Sequence, residues 1–318
     1  IIDFLCCPEC AADLRLAAAT QTAGEIESGC LICNGCARRY PIIDRIARIL
    51  PEGVLKSEKK TTDSFEFAWK HYGPLLSENL NTEFLTLVKP WKEEDFKDKI
   101  VLDIGCGAGR LSRLASSYGA KHVFAIDLSQ AVDTAYKLSK DYPNIHFFQS
   151  SLFYLPFKQR FDIIFSLGVL HHTPSARAGF KSILKHLRQG GSIGIWVYGR
   201  EGNEIIGPLM NIFRVATTRL NCRARIKLAK VLVRLGEGGY RCISKFTNRI
   251  FYGEYLRYFN NQLSRQDREY VAFDFISTEL VKYISENELK EWAKENNLTD
   301  ICIIKRNLNS WSLTAKKI

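Results

Sequence analysis

The apolar positions of this chain follow two patterns. Short apolar runs at 100–104, 122–126, 161–167 and 192–198, and again at 298–305 and 310–315, predict strands. Apolar residues three and four apart predict helices. Phe65, Trp69 and Tyr72 share a face over 64–72, and 110–117 and 286–296 form two further helices. The stretch 209–235 alternates aliphatics with Arg and Lys in an amphipathic pattern, and the polar, Lys- and Glu-rich stretch 51–63 reads as a linker.

Composition narrows the class. With 318 residues and 46% apolar content, the chain can bury one large core and a smaller one. No apolar run approaches the roughly 18 residues needed to span a bilayer. The first residues carry cysteines where a signal peptide would have a basic and then an apolar stretch, so a cytoplasmic protein is expected.

The first strand runs into Gly105-Cys106-Gly107-Ala108-Gly109, where missing side chains let a ligand approach the backbone. Nicotinamide, flavin and S-adenosylmethionine binders share such loops, so the flanks discriminate. Counted from Gly105, the last position of a dinucleotide fingerprint is Arg110, where Gly or Ala is wanted. Asp103, at the strand end, would repel a pyrophosphate but suits a cation such as the amino group of S-adenosylmethionine. Asp127 ends the second strand about twenty residues beyond the loop, the spacing at which an acid grips a ribose diol.

Taken in order with residues 161–174 and the Gly190-Gly191 turn, these motifs resemble class I S-adenosylmethionine-dependent methyltransferases, over residues 100–197. The resemblance implies an α/β fold with a Rossmann-like seven-stranded methyltransferase sheet. It places the methionine part on Asp103, Gly105, Gly107 and Gly109, the ribose on Asp127, and the adenine near Ser150, Ser151 and Leu152. Cys106, Leu128 and Ser166 complete the expected cofactor-binding set. Two positions depart from the pattern: Ser151 stands where many relatives carry an acid, and Gln189 stands where Pro usually precedes the paired glycines.

Ten cysteines in a chain this long matter by arrangement. Cys7-Pro8-Glu9-Cys10 and Cys33-Asn34-Gly35-Cys36 are two knuckles that bring four thiolates to tetrahedral spacing, a closed structural zinc site with no position for substrate. Cys6 and Cys30 are the competing ligands, since residues 30–33 are themselves a CxxC. A redox dithiol would need only one such pair. With Arg39-Tyr40-Pro41-Ile42-Ile43-Asp44 after it, the segment resembles the zinc ribbons of tRNA-methyltransferase activator subunits. Asp44-Arg45-Ile46-Ala47 replaces the Asp-Gly-Ile-Pro frequent there.

The expected organisation is a zinc ribbon at 1–55, a linker and N-terminal helices at 56–97, a cofactor-binding core at 98–199, a helical cap insertion at 200–273, and completion of the core sheet at 274–318. The inserted stretch 199–273 holds fourteen Arg and Lys against six acids, most of the chain's net +11. A basic cap suits RNA, an anionic membrane surface or a small anionic acceptor. Its aromatics, Phe246, Phe251, Tyr252, Tyr255, Tyr258 and Phe259, fall at helical spacings that suggest a seam or pocket wall more than a stacking platform.

Methyl transfer needs positioning, and a base only where the nucleophile must lose a proton. His171 and His172, after the fourth strand, are the candidate catalytic residues. No Asn- or Asp-Pro-Pro-aromatic run follows that strand, which disfavours exocyclic-amine methylation, and no Pro-Cys pair supports cytosine C5 chemistry. Three readings follow: a small-molecule methyltransferase acting at an oxygen or nitrogen of a polar or anionic acceptor (a sugar, lipid-linked or secondary metabolite), with peripheral membrane contact as one option; an rRNA or tRNA methyltransferase; and a non-catalytic activator module, against which the intact loop argues.

Overall fold

The strand-forming runs of the core alternate side chains between two faces, and two separate apolar clusters result. Leu102 and Ile104 of β5 (Ile100–Ile104) and Phe124 and Ile126 of β6 (His122–Asp127) enter one cluster; Val101, Val123 and Ala125 enter the other. A computed structural model describes all residues except 23–24, 51–53, 74–80, 159–160, 244–252 and 279–280. Over the first cluster lie α5 (Ala176–Leu184), through Phe180 and Ile183, and α10 (Glu286–Glu295), through Leu289 and Trp292. Ala115 of α3 (Arg110–Ser117), Val132 and Ala135 of α4 (Ala131–Leu138) and Phe84 of α2 (Asn81–Leu87) cover the second.

Strands β7 (Ile145–Ser150), β6, β5, β8 (Phe161–Leu167) and β9 (Leu187–Tyr198) run parallel, and β11 (Ser310–Lys317) and β10 (Leu298–Arg306) close that end antiparallel. These are the seven strands expected, but the sheet does not stop there. The ribbon strands β1 (Leu14–Thr22), β2 (Glu25–Cys33), β3 (Arg39–Ile43) and β4 (Ile46–Ile49) continue it, because β4 pairs in parallel with β7, and the sheet has eleven strands. The edge of β7 offers unpaired amides and carbonyls that any strand can satisfy. Arg48 reinforces the junction with a 2.5 Å ion pair to Asp133 of α4.

Two further expectations are corrected. Strand β9 begins at Leu187, not at residue 192: Gly190, at φ +71°, lets the chain kink within the strand, beside a register shift against β8. The expected linker is largely helical, since α1 spans Val54–Tyr72. Its later turns pack Ala68 and Tyr72 against the cap, and that tertiary surface holds in a helix a stretch whose composition reads as a tether.

Between β9 and α10 come α6 (Ile206–Thr217), α7 (Cys222–Ile243), α8 (Gly253–Asn261) and α9 (Arg265–Ser277). A capping box, Ser264 with Asp267, starts α9, which packs against α1, α6 and α7. Ala68, Tyr72, Ile226, Ala229, Phe273 and Ile276 form the small core of this layer. Phe246, Phe251 and Tyr252 lie outside the described residues; Tyr258 and Phe259 are half-buried. No helix among the described residues is long and apolar enough to cross a membrane.

Candidate functional site

At the carboxyl end of β5 the loop is held first by its own backbone. The amides of Gly105 and Cys106 both donate to the carbonyl of Ile126, at 2.8 and 2.9 Å, and the amide of Gly109 donates to the carbonyl of Cys106. Two glycines are required. Gly105, at φ +77°, would put a Cβ 2.3 Å from Val169, and Gly107, at φ +53°, would put one 2.5 Å from the indole of Trp69. Trp69 of α1 therefore lies directly on the loop, with Tyr270 of α9 beside it at a ring separation of 5.0 Å.

Asp103 is buried, and its carboxylate accepts a 2.6 Å hydrogen bond from Ser112. Burial pushes its pKa up to about 7 against that hydrogen bond, with the Asp127 charge adding to the rise. Asp127 faces the same loop: one oxygen accepts from the Gly107 amide at 3.0 Å, the other from the amide and hydroxyl of Ser129 at 2.8 and 2.7 Å. Desolvation raises its pKa while these bonds oppose the rise. The oxygen bonded to Gly107 keeps a second lone pair for a ribose hydroxyl. Cys106 is buried, and burial, followed by the nearby acids, keeps its thiol protonated.

The other expected cofactor residues are placed unequally. The carbonyl of Leu128 accepts from the side chain of Gln149 at 3.0 Å, fixing the strand-end turn beside Asp127. Ser151 caps its own turn, accepting from the amide of Phe153. Leu152 sends its side chain into the core, where it would be 3.0 Å from a Cβ at Gly179. Ser166 is fully buried, with its hydroxyl donating to the carbonyl of Ile104. The geometry thus gathers Asp103, the glycines and Asp127 at one edge, while Leu152 and Ser166 support it from within.

Behind the rim, His171 is buried, with a ring centroid 4.0 Å from that of Tyr198 and 4.0 Å from that of His172. Neither of its nitrogens has a hydrogen-bond partner, and burial, then the nearby His172 and Arg214, hold it neutral. His172 is half-buried and nearer the cap, with its ring 5.4 Å from that of Phe65. Sequence reasoning missed the cap's contribution here. The hydroxyl of Tyr198 donates to Asp274 of α9 at 3.2 Å, and Tyr270 has its ionisation suppressed by burial, then by Asp274. The seam between α1 and α9, formed by Ser64, Phe65, Ala68, Phe273, Asp274, Ser277 and Thr278, is packed closely enough to leave no room for a water molecule. The only sequence signal for this wall is the i, i+4 spacing of Tyr270 and Asp274.

At the other end of the sheet the Sγ atoms of Cys7, Cys10, Cys33 and Cys36 lie within 4.8 Å of one another. Cys7 and Cys36 are 3.7 Å apart and Cys10 and Cys33 3.4 Å, far beyond the roughly 2.05 Å of a disulfide and near the separation of about 3.8 Å that tetrahedral Zn–S bonds impose. The amides of Gly35 and Cys36 donate to the Cys33 sulfur at 3.3 Å. Burial opposes ionisation of that thiol, but the amides of Cys36 and Gly35 outweigh it and bring its pKa to about 6. Tyr40 makes a 3.2 Å contact to the Cys7 sulfur. The donor set fits zinc, whereas Cys6 and Cys30 stand outside the cluster.

Residues 101–191 match the family described as methyltransferase domain, and residues 1–44 match the family described as Trm112p-like protein. Protein arginine N-methyltransferase 1 of Oryza sativa subsp. indica is 38% identical over 90 residues, covering 27% of this chain and 23% of that protein. tRNA U34 carboxymethyltransferase of Pseudoalteromonas atlantica is 32% identical over 114 residues, covering 35% of each. The chain thus spans about a quarter to a third of the length of the curated relatives it matches. Among solved structures, a DhpI complex with SAH aligns over 81% of this chain and 96% of its own, with a TM-score of 0.50 and 14% identity, a likeness of fold.

Proposed function

We infer, from a chain that joins a methyltransferase domain to a Trm112p-like ribbon, that it transfers methyl groups from S-adenosylmethionine to a small polar or anionic acceptor, at oxygen or nitrogen. The observation that carries the choice of acceptor is the closure of α1 and α9 over the carboxyl edge, where Trp69 lies on the glycine loop with Tyr270 beside it in place of an open groove. A small molecule needs only a local opening of that cover, whereas a structured RNA would need the whole cap to move aside.

S-adenosylmethionine supplies an electrophilic methyl group on its sulfonium. Asp103 would face the cofactor's amino group, Asp127 its ribose, and the Gly105–Gly109 amides its backbone-side edge. Trp69 and Tyr270 exclude water above the loop. On the acceptor side, His172 is the residue to take a proton. His171, neutral and packed at a tilt between His172 and Tyr198, holds that ring in place. One structural zinc on Cys7, Cys10, Cys33 and Cys36 would hold the ribbon, and a cytoplasmic location accords with those reduced thiols.

A second reading has its own observation. The Trm112p-like ribbon and the similarity to a tRNA-modifying enzyme both favour an RNA acceptor. Untargeted metabolite profiling of a deletion strain, with mass spectrometry of its RNA modifications, separates the two. Loss of a methylated metabolite with unchanged RNA supports the small acceptor; loss of one RNA methylation with unchanged metabolites overturns it.

A further inference from the structure

We propose that the α6–α7 surface of the cap docks onto an anionic lipid surface. Residues 205–236 contain seven Lys and Arg and no acid. Two of the seven are structural: Arg214 is buried, donating to the carbonyl of Phe275, and Arg225 is buried, donating to the hydroxyl of Ser64. Arg219, Arg223, Lys227 and Arg234 are exposed. The ion pairs among the described residues of the cap, Arg265 with Glu269 and Arg268 with Glu237, leave all four out.

Beside these cations α6 carries an uncovered aliphatic stripe. Ile205, Leu209 and Ile212, spaced i, i+4 and i+7, are 76%, 62% and 71% exposed, and Phe213 and Val215 flank them. The helix is not short of a partner, since it buries Gly207, Arg214 and Thr217 and packs on α9. Its apolar side is therefore a second face, turned away from the protein. Val231 and Leu235 extend the same mixture along α7, among Lys227 and Arg234.

The chemistry of the surface selects its occupant. Nucleic acid would be met by aromatic platforms among the cations, but of the exposed large apolar residues on α6 and α7 only Phe213 is aromatic. A second copy would bring the same uncompensated cations against these and be repelled. A convex helix bearing aliphatics and bordered by Arg and Lys matches the boundary between acyl chains and anionic headgroups, which takes in apolar side chains without a preformed groove. Docked in this way, the cap would bring the glycine loop beneath α1 and α9 close to acceptors carried by lipid; that last step alone rests on the methyl-transfer reading.

Sedimentation with vesicles tests the surface, using phosphatidylcholine alone and phosphatidylcholine mixed with phosphatidylglycerol. The full chain should bind the mixed vesicles and lose roughly a hundredfold or more in affinity on phosphatidylcholine alone, where all four cations lose their attraction. The pair Leu209→Ser and Ile212→Ser should cost roughly tenfold or more, and Arg223→Gln with Lys227→Gln about fivefold per cation. All four positions are exposed, so melting and S-adenosylmethionine binding should be unchanged; calorimetry on the same samples reports on the cofactor site separately. Failure to sediment with the mixed vesicles, or equal sedimentation of the variants, overturns the proposal. So does a stable dimer in light scattering that Leu209→Ser with Ile212→Ser dissociates, or RNA retention at physiological salt without vesicle binding.

Discussion

The knuckles at 7–10 and 33–36 and the glycine loop at 105–109 both shape a tight turn for something small, but they are supported differently. The loop joins β5 to α3 in the middle of the sheet, its amides tied to Ile126 and its flanks buried on both faces. The ribbon hangs on an edge strand, and β2 is largely exposed until it reaches Leu31 and Cys33. A turn inside a core keeps its shape without a ligand, whereas a turn at the margin of a small core depends on what binds there.

The comparison breaks most easily at the ribbon. Cys10→Ser should abolish about one zinc per chain in metal analysis and remove a separate low-temperature transition, since structural zinc contributes on the order of 10 kcal/mol to small zinc domains. If metal content and melting stayed unchanged, the ligand set would be wrong and Cys6 or Cys30 next to test. Removing zinc from the wild type with a chelator should leave S-adenosylmethionine binding measurable, because the loop does not lean on the knuckles.

The loop should respond to packing instead. Gly105→Ala forces a Cβ toward Val169 in a left-handed backbone conformation and should cost about 3 kcal/mol in denaturant unfolding, with cofactor affinity lost alongside. An unchanged midpoint would mean that the loop relaxes freely. Asp127→Ala should leave melting nearly unchanged and weaken S-adenosylmethionine binding by about 10- to 100-fold in calorimetry; equal binding would remove Asp127 from the site.

The smallest effect is a pH dependence. Folding raises the pKa of Asp103 to about 7, so the folded state favours the protonated acid. Its contribution to stability is therefore fullest below the unfolded carboxylate range and is lost as pH rises from about 4 to about 7. Asp103→Asn should become progressively more stable relative to wild type as pH rises between those limits, while binding the cofactor's amino group more weakly. Parallel pH profiles for the two proteins would show that Asp103 ionises freely when folded.

Much of this was legible in the chain because it is local. A CxxC places two thiols in one turn, and a strand, three glycines and a helix form one continuous unit of about twenty residues. The i, i+4 pattern of Phe65 and Trp69 likewise marked a helix, although its start at Val54 ran into what composition presents as a linker. Less legible were Leu152, in the turn after β7, and Ser166, in β8, both turned into the core: the fold of a turn and the alternation of a strand decide which way a side chain points.

By itself, then, the sequence determined the two turns, the strands behind them and the uneven charge of the cap, all consequences of neighbouring residues and composition. Only the tertiary structure decided that β4 extends the sheet by pairing with β7, that Trp69 and Tyr270 close over Gly107, and that the His171 ring is sealed away with neither nitrogen hydrogen-bonded. Those outcomes rest on backbone edges that accept any strand and on contacts between residues about thirty to two hundred positions apart, and neither leaves a periodic mark in the chain.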